Sequence, residues 1–514
     1  IGSVGTTGAS GAIDRLTHEI LASLENRPTL VVWLFDQSGS LQAERDAILE
    51  RFDRIYEELG VVEASQNPAF RKHEDKPLLT AVVGFGETPR MLTERPTDQL
   101  ADIKAAVARI EDDQTGRENV FQAVGLAAEK FRTYRLARQN RRHVMMIVFT
   151  DEAGDDVDAL DDAVRICRKH AMSVYVVGRP APMGRETAYV KWVDPDPNFD
   201  QRPQWVPVRL GPESLVPERL KLGFVGGGAQ GALLDSGFGP YALTRLCYET
   251  GGIYFAVHPN RVVGRSVSGR ETSNLAVHLT EFFDPEVMRR YQPDYVSVAE
   301  YQRMLRGNRA KAALVAAAQA SWTSPMENVR LRFPKRDEAR LAESLSIAQR
   351  SAAFLQPQID QICQTLLAGE NDRSRLSEPR WQAGYDLATG RALAVQVRTA
   401  AYNAALAEAK QGMEFKSPES NTWILKSDDE YANSALSKTA AKATDYLMRV
   451  TEDHCETPWA LLAQRELTQP FGWRWSEGFT PLPPEGSSRG RGQNRPRREN
   501  RPAKRPPRRD PPPL

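Results

Sequence analysis

Two uninterrupted apolar segments limit what this chain can fold into more than any other feature of its sequence. They are Thr29–Phe35 (TLVVWLF) and His143–Thr150 (HVMMIVFT). A half-exposed strand alternates apolar and polar side chains, so a continuous apolar run predicts a strand that is buried on both faces. Helix-like segments separate such runs over the first 260 residues. This alternation predicts an α/β fold, with a doubly wound, mostly parallel sheet covered by helices on both faces.

Changes in composition along the chain predict its domain organisation. Residues 1–12 are rich in Gly, Ser and Thr, which is typical of a linker. The α/β domain is expected at 13–260, with a hairpin and loop inserted at about 180–238. Ala-rich helical periodicity over 274–480 predicts an α-helical bundle or a short TPR-like domain. The Pro/Arg-rich residues 481–514 predict a disordered tail.

The basic residues are concentrated at the C-terminal end of the chain. The whole chain has 68 Lys and Arg against 67 Asp and Glu, whereas Pro484–Leu514 has ten against three. Such a tail could neutralise phosphates of nucleic acid or anionic lipid through Arg489–Arg509, or it could be a solvated, solubilising segment. The sequence leaves both interpretations open.

Several motif classes are missing from the sequence. There is no G-x-x-x-x-G-K-[ST], which excludes a P-loop, and the four cysteines lack the spacing of a zinc site or a disulfide framework. No run approaches the ~18 apolar residues of a membrane-spanning helix. The linker-like start indicates either a processed flexible terminus or a further segment upstream. We expect a membrane anchor there, and hence a cell-envelope or membrane-associated location, with the cytoplasm as the alternative.

Oxygen-bearing side chains follow both apolar runs. Asp36, Ser38 and Ser40 form a D-x-S-x-S motif after the first run, and Asp151 follows the second. Strand-to-helix loops converge at the carboxyl edge of a parallel sheet, so these side chains are expected to lie together. Such oxygens suit Mg²⁺ or Mn²⁺. Asp and Ser are also common helix N-caps, so the first motif alone fits either role.

The two motifs, their flanking strands and the order of the elements resemble a von Willebrand factor A (VWA) domain of the bacterial type, with a metal-ion-dependent adhesion site (MIDAS). The resemblance implies that Ser38 and Ser40 bind Mg²⁺ directly and that Asp36 and Asp151 act mostly through water. It also implies an open coordination position for an acidic side chain of a protein partner. The expected function is therefore metal-dependent protein binding, in adhesion, assembly or scaffolding, without catalysis.

The third loop of the expected site departs from the family pattern. That pattern has a Thr just before an Asn, whereas this chain has Glu118 before Asn119. Glu118 is the expected ligand, and Thr115 is the alternative. A carboxylate at this position would lower the charge of the site and so make it less attractive to an acidic group.

Aromatic residues in the inserted segment are candidate partner contacts, because aromatic side chains dominate interface hot spots. They are Trp192, Phe199 and Trp205. The insertion leaves the carboxyl end of a predicted strand and therefore begins at the edge that carries the metal motifs. The alternative is that these side chains pack the hairpin onto its own domain.

Overall fold

The chain forms an α/β unit and a mainly helical unit in a computed structural model. The structure describes residues 2–6, 8–41, 45, 56, 77–113, 115–137, 141–224, 233–320, 329–482 and 506–511. The first unit comprises Ile1–Pro217, Leu233–Tyr301 and Arg508–Leu514. The second unit comprises Glu218–Ala232 and Gln302–Pro507. Among the described residues, no helix is long and apolar enough to cross a membrane.

The first unit contains a seven-stranded sheet in the order β1-β9-β6-β5-β2-β3-β4. Neighbouring strands run parallel except β3 and β4, as the predicted α/β fold requires. A separate hairpin is formed by β7 and β8. The strands are β1 (Gly2–Thr6), β2 (Thr29–Asp36), β3 (Leu78–Phe85), β4 (Arg90–Met91), β5 (His143–Phe149), β6 (Ser173–Gly178), β7 (Thr187–Trp192), β8 (Gln204–Arg209) and β9 (Ile253–Val257). The helices are α1 (Gly8–Asn26), α2 (Leu100–Val107), α3 (Val120–Leu136), α4 (Leu160–Lys169), α5 (Tyr241–Thr250), α6 (Pro285–Met288) and α7 (Val298–Gly307), which runs past the end of this unit.

Both apolar runs form central strands, which confirms the prediction that they are buried on both faces. Every residue of β2 is buried, and β2 pairs with β5 on one side and with β3 on the other. Trp33 and Phe35 stack against Phe149 on the same face, with ring centroids 5.9 and 5.2 Å away. Helices cover the two faces of the sheet and bury a separate apolar cluster on each.

The N-terminal residues differ from the predicted linker at 1–12. Strand β1 pairs in parallel with β9, and α1 begins at Gly8. Main-chain hydrogen bonds hold an edge strand whatever its side chains are, so Gly/Ser/Thr-rich composition does not prevent pairing. Apolar residues recur at helical spacing over 41–59, which predicts a helix there, and these residues lie mostly outside the described ones.

The second unit is built mainly from long helices, as predicted. They are α8 (Arg309–Ala320), α9 (Glu338–Leu367), α10 (Pro379–Lys410), α11 (Ser434–Asp453) and α12 (Pro458–Leu467). Thr457 followed by Pro458 predicts a helix that begins at Pro458 with Thr457 as its N-cap. The structure confirms this, because the Thr457 hydroxyl accepts from the amide N–H of Ala460 and Pro458 is the first helical residue. The longer segment of this unit begins at Gln302, whereas the helical region was expected from residue 274.

Two features of the second unit were not predicted. One is a three-stranded antiparallel sheet of β10 (Arg332–Pro334), β11 (Thr422–Asp428) and β12 (Gly472–Gly478). In β12, the indole N–H groups of Trp473 and Trp475 donate to main-chain carbonyls of α10 at 3.0 and 3.2 Å. The other feature is that the segment Glu218–Ala232 belongs to this unit. The carboxylate of Glu218 lies 2.8 Å from Arg380 Nε.

His258 makes the first unit sensitive to acid. Its ring is buried beside Phe282, Nε2 lies 2.7 Å from the carbonyl of Val277, and Nδ1 accepts from the N–H of Asn260. This arrangement fits the neutral ring. Burial, with the charge of Arg261 adding to it, lowers the pKa of His258 to about 4.

We expect the stability that depends on neutral His258 to be complete above pH 6.5 and to be lost as the pH falls towards 4, because only the unfolded chain takes up the proton in that window. Between pH 7 and pH 4, the native chain should lose about 3 kcal/mol more than a His258→Gln variant. Urea unfolding at several pH values measures the difference. Parallel pH profiles for the two proteins would contradict the prediction.

Candidate metal centre

Three carboxylates meet at the carboxyl edge of the sheet. Asp36, Glu118 and Asp151 are buried, and one oxygen of each lies within 4.8 Å of the others. The pairing of β2 with β5 places Phe35 opposite Phe149, so the residues that follow the two strands leave the sheet side by side. The structure thus brings together residues from three loops, and their role as metal ligands remains a prediction.

The first loop is held by its own main chain. Asp36 Oδ1 accepts from the N–H of Ser38 at 2.8 Å, and the Ser38 hydroxyl lies 3.5 Å from Asp151. Arg45 donates to the carbonyls of Asp36 and Ser38 at 2.9 and 2.8 Å, and this clamp was not predicted. Ser40 lies in the short 3₁₀ turn Gly39–Leu41, and its side chain is outside the described part.

The third loop places Glu118, and not Thr115, with the two aspartates. The N–H of Glu118 donates to Asp155 at 3.1 Å, and the N–H of Asp155 donates to the carbonyl of Glu118 at 2.9 Å. Asn119 is held at the end of β3 by a bond to the carbonyl of Gly86. Thr115 is exposed, and its hydroxyl accepts from the N–H of Arg117. Glu118 is therefore fixed from both neighbouring loops.

The hydroxyl of Thr150 lies between two of the three carboxylates. It is 3.1 Å from an oxygen of Asp36 and 3.1 Å from an oxygen of Glu118. A hydroxyl has one proton and can donate to only one of them. Asp36 and Glu118 are also within hydrogen-bond reach of each other, so a proton shared between them, or a cation in its place, would relieve their repulsion.

Burial and the repulsion between neighbouring carboxylates raise the pKa values of three carboxyl groups at this edge of the sheet. Burial, together with the charge of Asp151, raises the pKa of Asp36 to about 7. Burial and the charges of Asp36 and Asp151 raise the pKa of Glu118 well above its usual range. Burial and Asp151 raise the pKa of Glu152 to about 8. Buried oxygens that hold protons so strongly, with a serine beside them, are a suitable donor set for a hard divalent cation.

Arg179 is a member of the site that no sequence motif predicted. Its Nη2 lies 2.7 Å from Asp151 Oδ2, and both side chains are buried. Arg179 directly follows β6, which ends at the same edge of the sheet as β2 and β5. This position after a strand is the sequence feature that could have predicted its place in the site. Three ionised carboxylates and one guanidinium have a formal charge of −2, which a divalent cation balances.

The aromatic residues of the insertion have different surroundings. Trp192 is buried, whereas Trp205 is 39% exposed and its ring lies 5.0 Å from that of His278. The ring of Phe199 lies 3.9 Å from the guanidinium carbon of Arg509. Burial of Trp192 favours a packing role for that residue, and Trp205 and Phe199 keep accessible or polar contacts.

Comparison with known proteins identifies part of the chain. The family model for the von Willebrand factor type A domain matches residues 31–188. Among solved structures, an aerotolerance-related membrane protein from Bacteroides fragilis is 16% identical with a TM-score of 0.27, and the match covers 47% of this chain and 93% of that protein. Proximal thread matrix protein 1 from the mussel byssus, with a zinc-occupied MIDAS motif, is 18% identical with a TM-score of 0.22, and the match covers 30% of this chain and 36% of that one. No curated protein sequence matches the chain significantly.

The family match confirms the resemblance inferred from the two strand-end motifs. It covers β2 to β7 and includes Asp36, Glu118 and Asp151. Domains of this family generally mediate metal-dependent interactions between proteins and are typically not enzymes. Residues 31–188 of this chain are therefore a von Willebrand factor type A domain.

Proposed function

We propose that the chain binds a protein partner through a divalent metal ion, Mg²⁺ or Mn²⁺, and that it is not an enzyme. Asp36, Glu118 and Asp151 would hold the ion, with Ser38 and Ser40 of the first motif. The observation that carries the proposal is the convergence of three buried carboxylates at one edge of the sheet. Two of them, Asp36 and Glu118, lie around the single hydroxyl proton of Thr150. A bound divalent ion would supply a Lewis-acidic position for a ligand oxygen.

The charge of the site supports an acidic side chain as the partner's ligand. Glu118 adds a negative charge that would repel an incoming carboxylate, but Arg179 adds a positive charge beside Asp151. At pH 7 Glu152 holds its proton, because its pKa is raised to about 8. With a divalent ion the formal charge of Asp36, Glu118, Asp151 and Arg179 is then zero, so the extra carboxylate does not make the site repulsive.

Hydrogen bonds from Arg45 to the first loop and from Glu118 to Asp155 hold the loops of the site in place. A site whose loops are already fixed loses little conformational entropy when it binds a partner.

The test uses the immobilised full chain and a lysate of its source organism. We expect the native chain to retain a defined set of proteins in Mg²⁺ and to release it in EDTA, and a Ser38→Ala/Ser40→Ala variant to retain none of that set. Calorimetry with Mg²⁺ and Mn²⁺ measures metal binding separately. Retention of the same proteins by the double variant or in EDTA would overturn the proposal.

Arg179→Met tests the charge argument within the same experiment. The substitution makes the loaded site negative by one charge, so it should leave Mg²⁺ affinity equal or higher and lower the retention of the partner at least tenfold. Exposed Arg165→Met on α4 is the matched control and should retain the partner as the native chain does. Unchanged retention by the Arg179 variant would exclude an acidic ligand.

A further inference from the structure

The loop between β7 and β8 has many hydrogen bonds within itself. The side-chain Nε2 of Gln201, which has two hydrogens to donate, lies among the carbonyls of Asp194, Asp196 and Phe199 at 3.1, 2.9 and 3.2 Å. The N–H of Asp196 donates to Asp194 Oδ1 at 3.0 Å. A loop that is fixed by its own hydrogen bonds loses little conformational entropy when it binds a ligand.

Asp194 presents a buried oxygen in this loop to which no described residue donates a hydrogen bond. The side chain is 1% exposed, and Oδ2 has no donor within reach in the described part of the chain. Burying a carboxylate oxygen in this way is costly unless a positive charge lies near it. Such a charge is present on Arg509, whose Nε is 3.7 Å from Oδ2.

The C-terminal segment lies on this loop and meets it through both side chains and main chain. Arg508 donates to the side-chain oxygen of Gln204 at 2.8 Å, and the side-chain N–H of Gln204 donates to the carbonyl of Arg509 at 2.9 Å. The Arg509 guanidinium lies over the ring of Phe199, and its Nη2 is 3.6 Å from Asp196. Gln204 thus contacts two consecutive residues of the segment.

This set of contacts selects arginine. A guanidinium is planar, so it can stack on Phe199 while its N–H groups point at Asp194 and Asp196, whereas an ammonium group has no flat face. Arg509 is 48% exposed, so each ion pair alone contributes little. Selection of arginine comes from the aromatic ring and the buried oxygen, and the main-chain bond to Gln204 holds the segment in register.

We propose that the loop of residues 194–204 is a peptide-binding site for two adjacent arginines in a proline-rich segment, and that its occupant is the chain's own C-terminal segment at Arg508 and Arg509. Covalent attachment favours this occupant, because a tethered ligand has a much higher effective concentration than a free one. The site uses none of the metal-centre residues. It also engages two of the arginines that a nucleic acid or anionic lipid would need.

The test measures binding of a fluorescent peptide, PPRRDPPPL (residues 506–514), to the full chain by fluorescence anisotropy. A chain carrying Arg508→Ala/Arg509→Ala should bind the peptide at least tenfold more tightly than the native chain, because its own segment no longer competes. Adding Asp194→Asn or Phe199→Ala to that chain should weaken binding at least tenfold. A peptide with Lys in place of both Arg should also bind at least tenfold more weakly.

Two controls distinguish this site from a general effect of tail charge and from the metal centre. Arg489→Ala/Arg491→Ala changes the charge of the tail equally and should leave the chain with the weak peptide binding of the native protein. EDTA should have no effect, so failure of the metal proposal is distinguishable from failure of this one. Equal peptide binding by the native and the Arg508→Ala/Arg509→Ala chains would overturn the proposal. So would binding that Asp194→Asn and Phe199→Ala both leave unchanged, which would instead indicate general attraction to the acidic loop.

Discussion

Asp36→Asn should make the metal-free protein more stable and should abolish its stabilisation by Mg²⁺. At pH 8, an ionised Asp36 is buried within 4.8 Å of two other carboxylates, and the pKa raised to about 7 means that this ionisation costs the folded state free energy. Asn removes the charge, and its side-chain oxygen can still accept from Ser38. We expect a gain on the order of 1 to 3 kcal/mol in EDTA.

Addition of Mg²⁺ should reverse the order of the two proteins. A ligand that binds only the folded state stabilises it by about 2.7 kcal/mol at 100 times its Kd, and the variant should gain none of this. Thermal unfolding at pH 8 with and without Mg²⁺ measures both effects. Asp162→Asn, on the exposed side of α4, is the matched control and should respond to Mg²⁺ as the native chain does. An equal response to Mg²⁺ in native and Asp36→Asn chains would refute a metal site at these loops.

Asp386→Ala should destabilise the second unit by about 3 kcal/mol, because it leaves two guanidinium groups facing each other without their shared carboxylate. Asp386 is fully buried, and its oxygens lie 2.6 Å from Arg373 Nη2 and 3.4 Å from Arg449 Nη1. Both arginines are partly exposed, so water can solvate them in the variant. The expected loss of unfolding free energy is therefore at the lower end of the range for a broken buried ion pair. Urea unfolding followed by circular dichroism measures it.

The control for this prediction is Glu343→Ala on the exposed face of α9, which should change stability by less than about 0.5 kcal/mol. Asp386→Asn keeps the shape of the side chain and should give an intermediate loss. A loss below about 1 kcal/mol for Asp386→Ala would show that water replaces the carboxylate as a partner of both arginines.

The sequence predicts the central strands of the VWA domain well, because strands that are buried on both faces consist of apolar residues. A strand that is covered on both faces must be apolar throughout, as Thr29–Phe35 is. Parallel pairing then brings Asp36 and Asp151 to one edge without further information. Alignment on Asn119 also selects Glu118, since the start of the following helix fixes the distance to the site.

Other features depended on contacts that no local pattern records. Strand β1 is held by main-chain bonds to β9, so its Gly-rich composition gave no strand signal. Arg179 belongs to the site because β6 lies beside β5, and no motif marks it. Strands β11 and β12 lie far apart in the sequence, and they pair with each other across an intervening pair of helices. Each of these features depends on which distant segment lies next to it.

The order of segments along the chain has a consequence for how the protein is made. Glu218 lies 162 residues before its partner Arg380, and both belong to the second unit. At about 5 to 20 residues per second, a ribosome releases the acidic partner roughly 10 to 30 s before the basic one. The helical half therefore cannot complete its fold from contiguous chain, and a gene fragment beginning at Gln302 would deprive Arg380 of Glu218. We expect the two halves to be inherited and expressed as one piece, and not exchanged as independent modules during evolution.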